Sequence, residues 1–399
     1  MKIGCRLVTL LAVSLVCPAL ATGDEADPAA GSNVHFKRRQ LDAAFRSEGV
    51  AVADFNRDGK QDIAAGTVWY AAPDWEMHAI TAEPQEYNPK NYSNSFCNFA
   101  DDLNGDGWPD LIVVDFPGTP TWWFENPRGE DGPWPRHVLT PVTNNESPQY
   151  LDVDGDGRRE LVLAFSPDAQ SPDGPQRQMA LARPTGDPQE AWKLHPISTP
   201  GAPGTQRYSH GLGVGDVNGD GRRDVVVPAG WWEAPGGDES GLWRFHPVDF
   251  GTVAAHMYVY DFDGDGDNDV LSSSPHAYGI WWHEQRPRGV WVTHEIDASV
   301  SQTHAVCLAD INGDGLRDFV TGKRWWAHAS GDPGGDEPAV FSWYELTRGE
   351  KGAAWIKHQF DHNSGPGTQF EVVDVNGDGL LDVVTSNKKG VHYFEQYRQ

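Results

Sequence analysis

The chain has 399 residues, 58 of them acidic and 31 basic, for a formal net charge of −27. That charge argues against nucleic acid or anionic membrane as a partner, and an aromatic content of 11% argues against an acidic disordered chain. With 44 Gly, 29 Pro and 17 Trp, the composition suits many short strands joined by tight turns.

The N-terminus reads as a secretory signal over residues 1–21. Lys2 and Arg6 are basic, Leu7 to Leu20 is apolar, and Ala19-Leu20-Ala21 is a small-x-small cleavage site. The apolar run is short for a membrane span. Val16 before Cys17 and Pro18 after it argue against a lipoprotein. Residues 22–33 read as a flexible leader, and a secreted or periplasmic location follows. Cleavage leaves Cys97 and Cys307, which the repeat register puts in non-adjacent blades as free thiols.

From residue 34 onward the chain repeats. The pattern D-x-[DN]-x-D-G-x-x-[DE] occurs seven times, with start-to-start spacings of 48, 50, 64, 45, 49 and 64 residues. Its acidic and amide positions are Asp54, Asn56, Asp58, Asp62; Asp102, Asn104, Asp106, Asp110; Asp152, Asp154, Asp156, Glu160; and Asp216, Asn218, Asp220, Asp224. They continue as Asp261, Asp263, Asp265, Asp269; Asp310, Asn312, Asp314, Asp318; and Asp374, Asn376, Asp378, Asp382. Each copy lies between two strand-like runs, as in Asp224-Val225-Val226-Val227. An aromatic third strand such as Gly230-Trp231-Trp232-Glu233 follows, then a fourth that opens on W-x-x-H. These periods predict an all-β fold over residues 34–399: a seven-bladed β-propeller with one loop per blade. Blade 3 lacks the Trp-Trp strand between Phe165 and Ala182.

W-x-x-H occurs six times, at Trp75/His78, Trp134/His137, Trp192/His195, Trp243/His246, Trp291/His294 and Trp355/His358. Phe36 to Leu41 fills the seventh slot, since Arg39 precedes Asp54 by the 15 residues that separate His246 from Asp261. The N-terminal strand is therefore expected to complete the last blade and close the ring, which leaves no free sheet edge. Recurrence in six outer strands makes these histidines packing residues.

Oxygens at loop positions 1, 3, 5 and 9 suit one hard cation, and Gly at position 6 permits the turn. Calcium, up to one ion per blade, is the expected cofactor. The alternative is a plain Asp-Gly hairpin without metal. The loops resemble FG-GAP or VCBS repeats of integrin-type propellers, a resemblance that implies the fold and leaves function open.

Function is expected on the opposite face. Five to seven residues before each loop stand Glu48, Ser95 and Phe96, Glu146, His210, His256, His304 and Gln369. Three consecutive blades thus offer histidine at nearly one position, as a base or as ligands for a divalent transition metal. Neighbouring loops add Tyr92, Arg207, Tyr208, His276, Tyr278, Lys323, Arg324, His328 and Lys388, basic groups that suit an anionic or carbonyl-bearing ligand. Solvated loop charges are the plain alternative.

Tyr208 to Asp216, Thr303 to Asp310, Thr321 to His328 and Ser386 to Gly390 are similar to the propeller part of aldos-2-ulose dehydratase/isomerase. That resemblance implies a carbon–oxygen lyase that eliminates water, or a glycoside, beside a keto-sugar carbonyl. This chain ends with the propeller, so the cupin domains and the isomerase step are not expected. The chemistry needs a base (His210, His256 or His304), a positive group for the enolate (Lys323, Arg324 or a metal) and an acid (Tyr278 or a second His). Tyr92, Arg207, Tyr208, His276, His328, Gln369 and Lys388 would bind the sugar. The other reading is a non-catalytic propeller that binds a glycan or a protein. A polysaccharide lyase acting on uronic acids is a third.

Overall fold

The computed structural model describes residues 33–187, 189–237, 241–251, 254–350 and 352–399. The expected signal peptide and nearly all of the leader lie outside them. Val34–Gln399 forms one compact unit. It contains seven four-stranded antiparallel sheets. In six of them the strands follow chain order, beginning with Ala51–Ala53, Asp62–Ala65, Val68–Ala71 and Glu76–Ala79 in blade 1. Blade 7 combines Phe370–Val373, Asp382–Asn387 and Gly390–Arg398 with the N-terminal strand Val34–Asp42. Val34 pairs with Arg398 and Gln40 with His392, so the ring closes as the missing W-x-x-H predicts.

The second strand of every blade is buried from end to end, as in Asp110–Val114 and Asp224–Val227. It packs against neighbouring blades on both faces, so after its leading acid it opens on apolar residues without polar alternation, joined in blades 5, 6 and 7 by buried polar residues at its far end. Blade 3 keeps its third strand, Gln178–Arg183, with Leu181 buried where Trp69, Trp123, Trp231, Trp282 and Trp343 stand in other blades. The cores between blades are mixed aromatic and aliphatic clusters, such as Phe341, Trp343, Phe370 and Phe394 between blades 6 and 7.

The outer-strand histidines have a repeated structural role. The His246 ring stacks on Trp231 at 4.1 Å, and the His358 ring on Trp343 at 4.3 Å. His137, His246, His294 and His358 each turn Nε2 to a glutamate on the third strand, at 2.7–3.0 Å. Cys97 and Cys307 are free thiols.

The seven Asp loops share one construction. Gly at position 6 has a positive φ in every copy, from 84° at Gly221 to 96° at Gly266, which favours glycine. In blade 1, Asp54 accepts the Asp58 and Gly59 amides at 2.9 Å, and Asn56 accepts the Asp58 amide. The acid at position 9 has a second task that spacing alone does not reveal. Asp110 is fully buried and accepts the Leu103 amide at 3.0 Å and the Asn126 amide at 2.7 Å. Asp62, Asp224, Asp269, Asp318 and Asp382 bridge loop and third strand in the same way. Burial pushes the Asp110 carboxyl up to about 7.

Candidate functional site

The face opposite the Asp loops gathers side chains from blades that are distant in sequence. His210 Nε2 lies 2.9 Å from His304 Nε2, and each lies 3.2 Å from Glu146 Oε2. The three residues come from the segments entering blades 3, 4 and 6. Donor atoms about 2.0–2.2 Å from a divalent ion stand roughly 3 Å apart, so this triangle fits one facet of a coordination shell. Burial favours neutral His304, and the His210 and His304 rings hold Glu146 well below the usual carboxylate range against the opposing effect of burial. A metal held here would need both imidazoles neutral and the carboxylate ionised. The triangle is nearly closed: the side chains of His210, His304 and Glu146 are 7%, 1% and 12% exposed.

Register explains which residues converge. Glu48, Glu146, His210 and His304 stand six residues before their loops, whereas His256 and Gln369 stand five before theirs. One residue along a strand reverses the side-chain direction. His256 accordingly leaves the triangle. It lines the central channel with Tyr258, Cys307 and Glu371 around a cavity of about 460 Å³, and its Nδ1 has no partner. Burial pushes the His256 imidazole down to about 4. Gln369 also turns to the channel: its side chain accepts the Val50 amide at 2.8 Å and donates to Glu371 at 3.0 Å. The expected ligand role of Gln369 gives way to cross-blade bracing.

A second group adjoins the first. His276 Nδ1 and His328 Nδ1 lie 3.2 and 3.0 Å from Asp332 Oδ2, and the two rings stack at 4.4 Å. His276 meets His210 edge-on at 4.6 Å. Burial and the neighbouring His210 push His276 down to about 4. The segment carrying His328 is strained: Trp326, His328, Ala329 and Ser330 all have left-handed φ, between 47° and 64°.

The basic residues expected to face a ligand are engaged within the protein. Arg324 pairs with Glu48 in a site where both side chains are almost fully buried, and Lys388 Nζ lies 3.9 Å from the same carboxylate. Lys388 also donates to the Trp326 carbonyl at 3.2 Å and sits 4.3 Å from the Tyr92 ring centre. Burial, then the Arg324 charge, pushes its ammonium down to about 8. Lys323 does not reach the triangle. Its ammonium donates to the Arg324 and Gly335 carbonyls at 3.2 and 3.3 Å, which ties down the insertion after Ala327. Tyr278 donates to Glu337 of that insertion at 2.6 Å. Lys323 and Tyr278 thus both hold the blade 6 insertion. Arg207 donates to the Pro117 carbonyl at 2.8 Å and lies 4.7 Å from the Tyr208 ring centre.

Three acids complete the site without a strong mark in the sequence. Glu48 and Glu146 share the histidines' position six, which was the available signal. Asp332 lies in a Gly/Pro/Asp insertion and had none.

The FG-GAP-like repeat family matches residues 102–163, from the blade 2 loop to the second strand of blade 3, and 261–321, from the blade 5 loop to the second strand of blade 6. The chain is a seven-bladed propeller with FG-GAP-type repeats. No curated protein matches it. Among solved structures, BBS1N in complex with ARL6DN is similar with a TM-score of 0.55 at 10% identity, over 92% of this chain and 98% of that one. A Lactobacillus plantarum protein is similar with a TM-score of 0.50 at 10% identity, over 82% and 88%. An Agrocybe aegerita lectin solved for its recognition of non-reducing terminal N-acetylglucosamine has a TM-score of 0.49 at 16% identity, over 91% and 86%. At these identities the likeness is one of fold. No helix among the described residues is long and apolar enough to cross a membrane.

Proposed function

We propose that this propeller is exported, is stabilised by calcium in its Asp loops, and binds carbohydrate on the face opposite them. A divalent metal at Glu146, His210 and His304 would anchor the sugar. The observation that carries this reading is the triangle of donor atoms at ligand spacing, with the half-buried aromatics Tyr92, Trp325 and Trp326 and the exposed Tyr208 on the same face. A few convergent polar groups bordered by aromatic surface are the usual make-up of a small-ligand site. In blades 3 and 5, loop carboxylates come within 4.8 Å of one another, spacing that suits a bound ion.

The test is glycan-array binding by protein stripped of transition metal and then given Zn²⁺ or Mn²⁺ in constant calcium. Binding should need the added metal and should be lost in His304→Ala. Equal binding without it would remove the metal from the site.

Elimination beside a sugar carbonyl is the second reading. Lys388 bears on it: burial and the Arg324 charge push its ammonium down to about 8, toward the neutral form that a base needs. The stretches similar to aldos-2-ulose dehydratase/isomerase point the same way. In that reaction the base removes the α-proton, the β-hydroxyl leaves as water and an enone forms. Incubation with 1,5-anhydrofructose and 3-keto-glycosides should then produce an enone absorbance, and none with any of them leaves the binding reading alone.

A further inference from the structure

A groove of about 780 Å³ runs outward from His210, bounded by Arg207, Tyr208, Pro228, Pro247 and Asp249. His210 belongs both to the donor triangle and to the groove wall, so the groove ends against the triangle. The volume is near the upper end of the roughly 300–1,000 Å³ typical of small-ligand pockets, more than one monosaccharide requires.

Its walls have a consistent chemistry. Tyr208 is 44% exposed and has a left-handed φ of 63°. Its amide is fixed by the Asn144 carbonyl at 2.9 Å, and its ring packs edge-on against Phe116 at 5.7 Å. A large aromatic kept exposed in a strained backbone is a mark of a recognition site. Pro228 and Pro247 add rigid apolar surface for the C–H face of a pyranose. Exposed Asp249 offers carboxylate oxygens to hydroxyl groups. The charge of Arg207 is offset by Asp173 at 3.8 Å. Asp249 and the net charge of −27 oppose an anionic chain.

We infer that the ligand is a neutral oligosaccharide whose terminal unit abuts His210, at the edge of the donor triangle, while the following units lie along the groove over Tyr208. The terminal position follows from closure on the other side, where His276 and His304 pack against His210. This rests on the carbohydrate-binding reading above and adds to it chain length, charge and direction.

The experiment is calorimetric titration of the full chain, in calcium and Zn²⁺, with neutral oligosaccharides of one to six units from series that the array identifies, and with oligogalacturonates of equal length. Affinity for the neutral series should rise at least tenfold between one and four units. Tyr208→Ala should remove that rise while leaving the melting temperature unchanged, and Tyr208→Phe should keep it. Oligogalacturonates should bind more weakly than neutral chains. Monosaccharide binding that depends on His304 but shows no gain with length would overturn the groove assignment and leave the carbohydrate reading intact. Preference for the uronates would overturn the neutral class, and no binding of any sugar would overturn both readings.

Discussion

The two faces of this propeller are built by opposite rules. On the loop face, seven copies of one sequence make one structure, with the same glycine turn and, in six blades, an aspartate bridge from loop to third strand. On the other face the blades differ, glutamate in some and histidine in others. Glu48, Glu146, His210 and His304 occupy one register position with different chemistry, and the insertion after Ala327 adds Asp332. A repeated residue serves a need that each blade has, which is stability. Residues that break the repeat at one register position serve a need that the molecule has once, which is a site.

The largest effect expected from that contrast is on the loop face. Each occupied loop contributes about 2.7 kcal/mol when calcium is 100-fold above its dissociation constant. Excess EDTA should therefore lower the melting temperature by about 10 °C or more, read by calorimetry. An unchanged value would mean that the loops are metal-free hairpins.

Next come the single buried interactions, one from each face. Asp110→Ala leaves the Leu103 and Asn126 amides without their acceptor. It should cost about 3–5 kcal/mol in denaturant unfolding, even in EDTA, where Asp102→Ala should cost under about 1 kcal/mol. Equal costs would show that position 9 works only through the metal. On the site face, Arg324→Met leaves the buried Glu48 carboxylate with the Ser93 donors and the more distant Lys388 ammonium. It should cost about 3–5 kcal/mol, much of it recovered in Glu48→Gln/Arg324→Met. A double variant no better than the single would mean that the pair serves packing, not charge.

The smallest effect is expected in the channel between the faces. Burial pushes Glu371 up to about 7 from an ordinary 4.5. The folded state then holds more protons than the unfolded state between those values, so this group's contribution falls as pH rises through that window. Because the group borders a cavity that water can reach, the discounted size is about 1 kcal/mol. In saturating calcium, Glu371→Gln should be more stable than the parent by that amount at pH 8 and no more stable at pH 4. The reverse order would show that Glu371 is held ionised.

Local sequence was enough for the architecture. The Asp loops counted the blades, the buried β-branched runs marked the second strands, and the missing W-x-x-H located the closing strand at Val34–Asp42. Each of these is a short-range pattern repeated until chance is excluded. The candidate site was legible only as a list of residue types. His210 and His304 are 94 residues apart in sequence, and Glu146 is 158 residues from His304. Only the closed ring brings them together. One residue of register sent His256 into the channel, and neighbouring carbonyls claimed the Lys323 ammonium. Residue chemistry was written in the sequence, but direction was not, because a side chain's aim is set by strand register and by which blades become neighbours once the ring has closed.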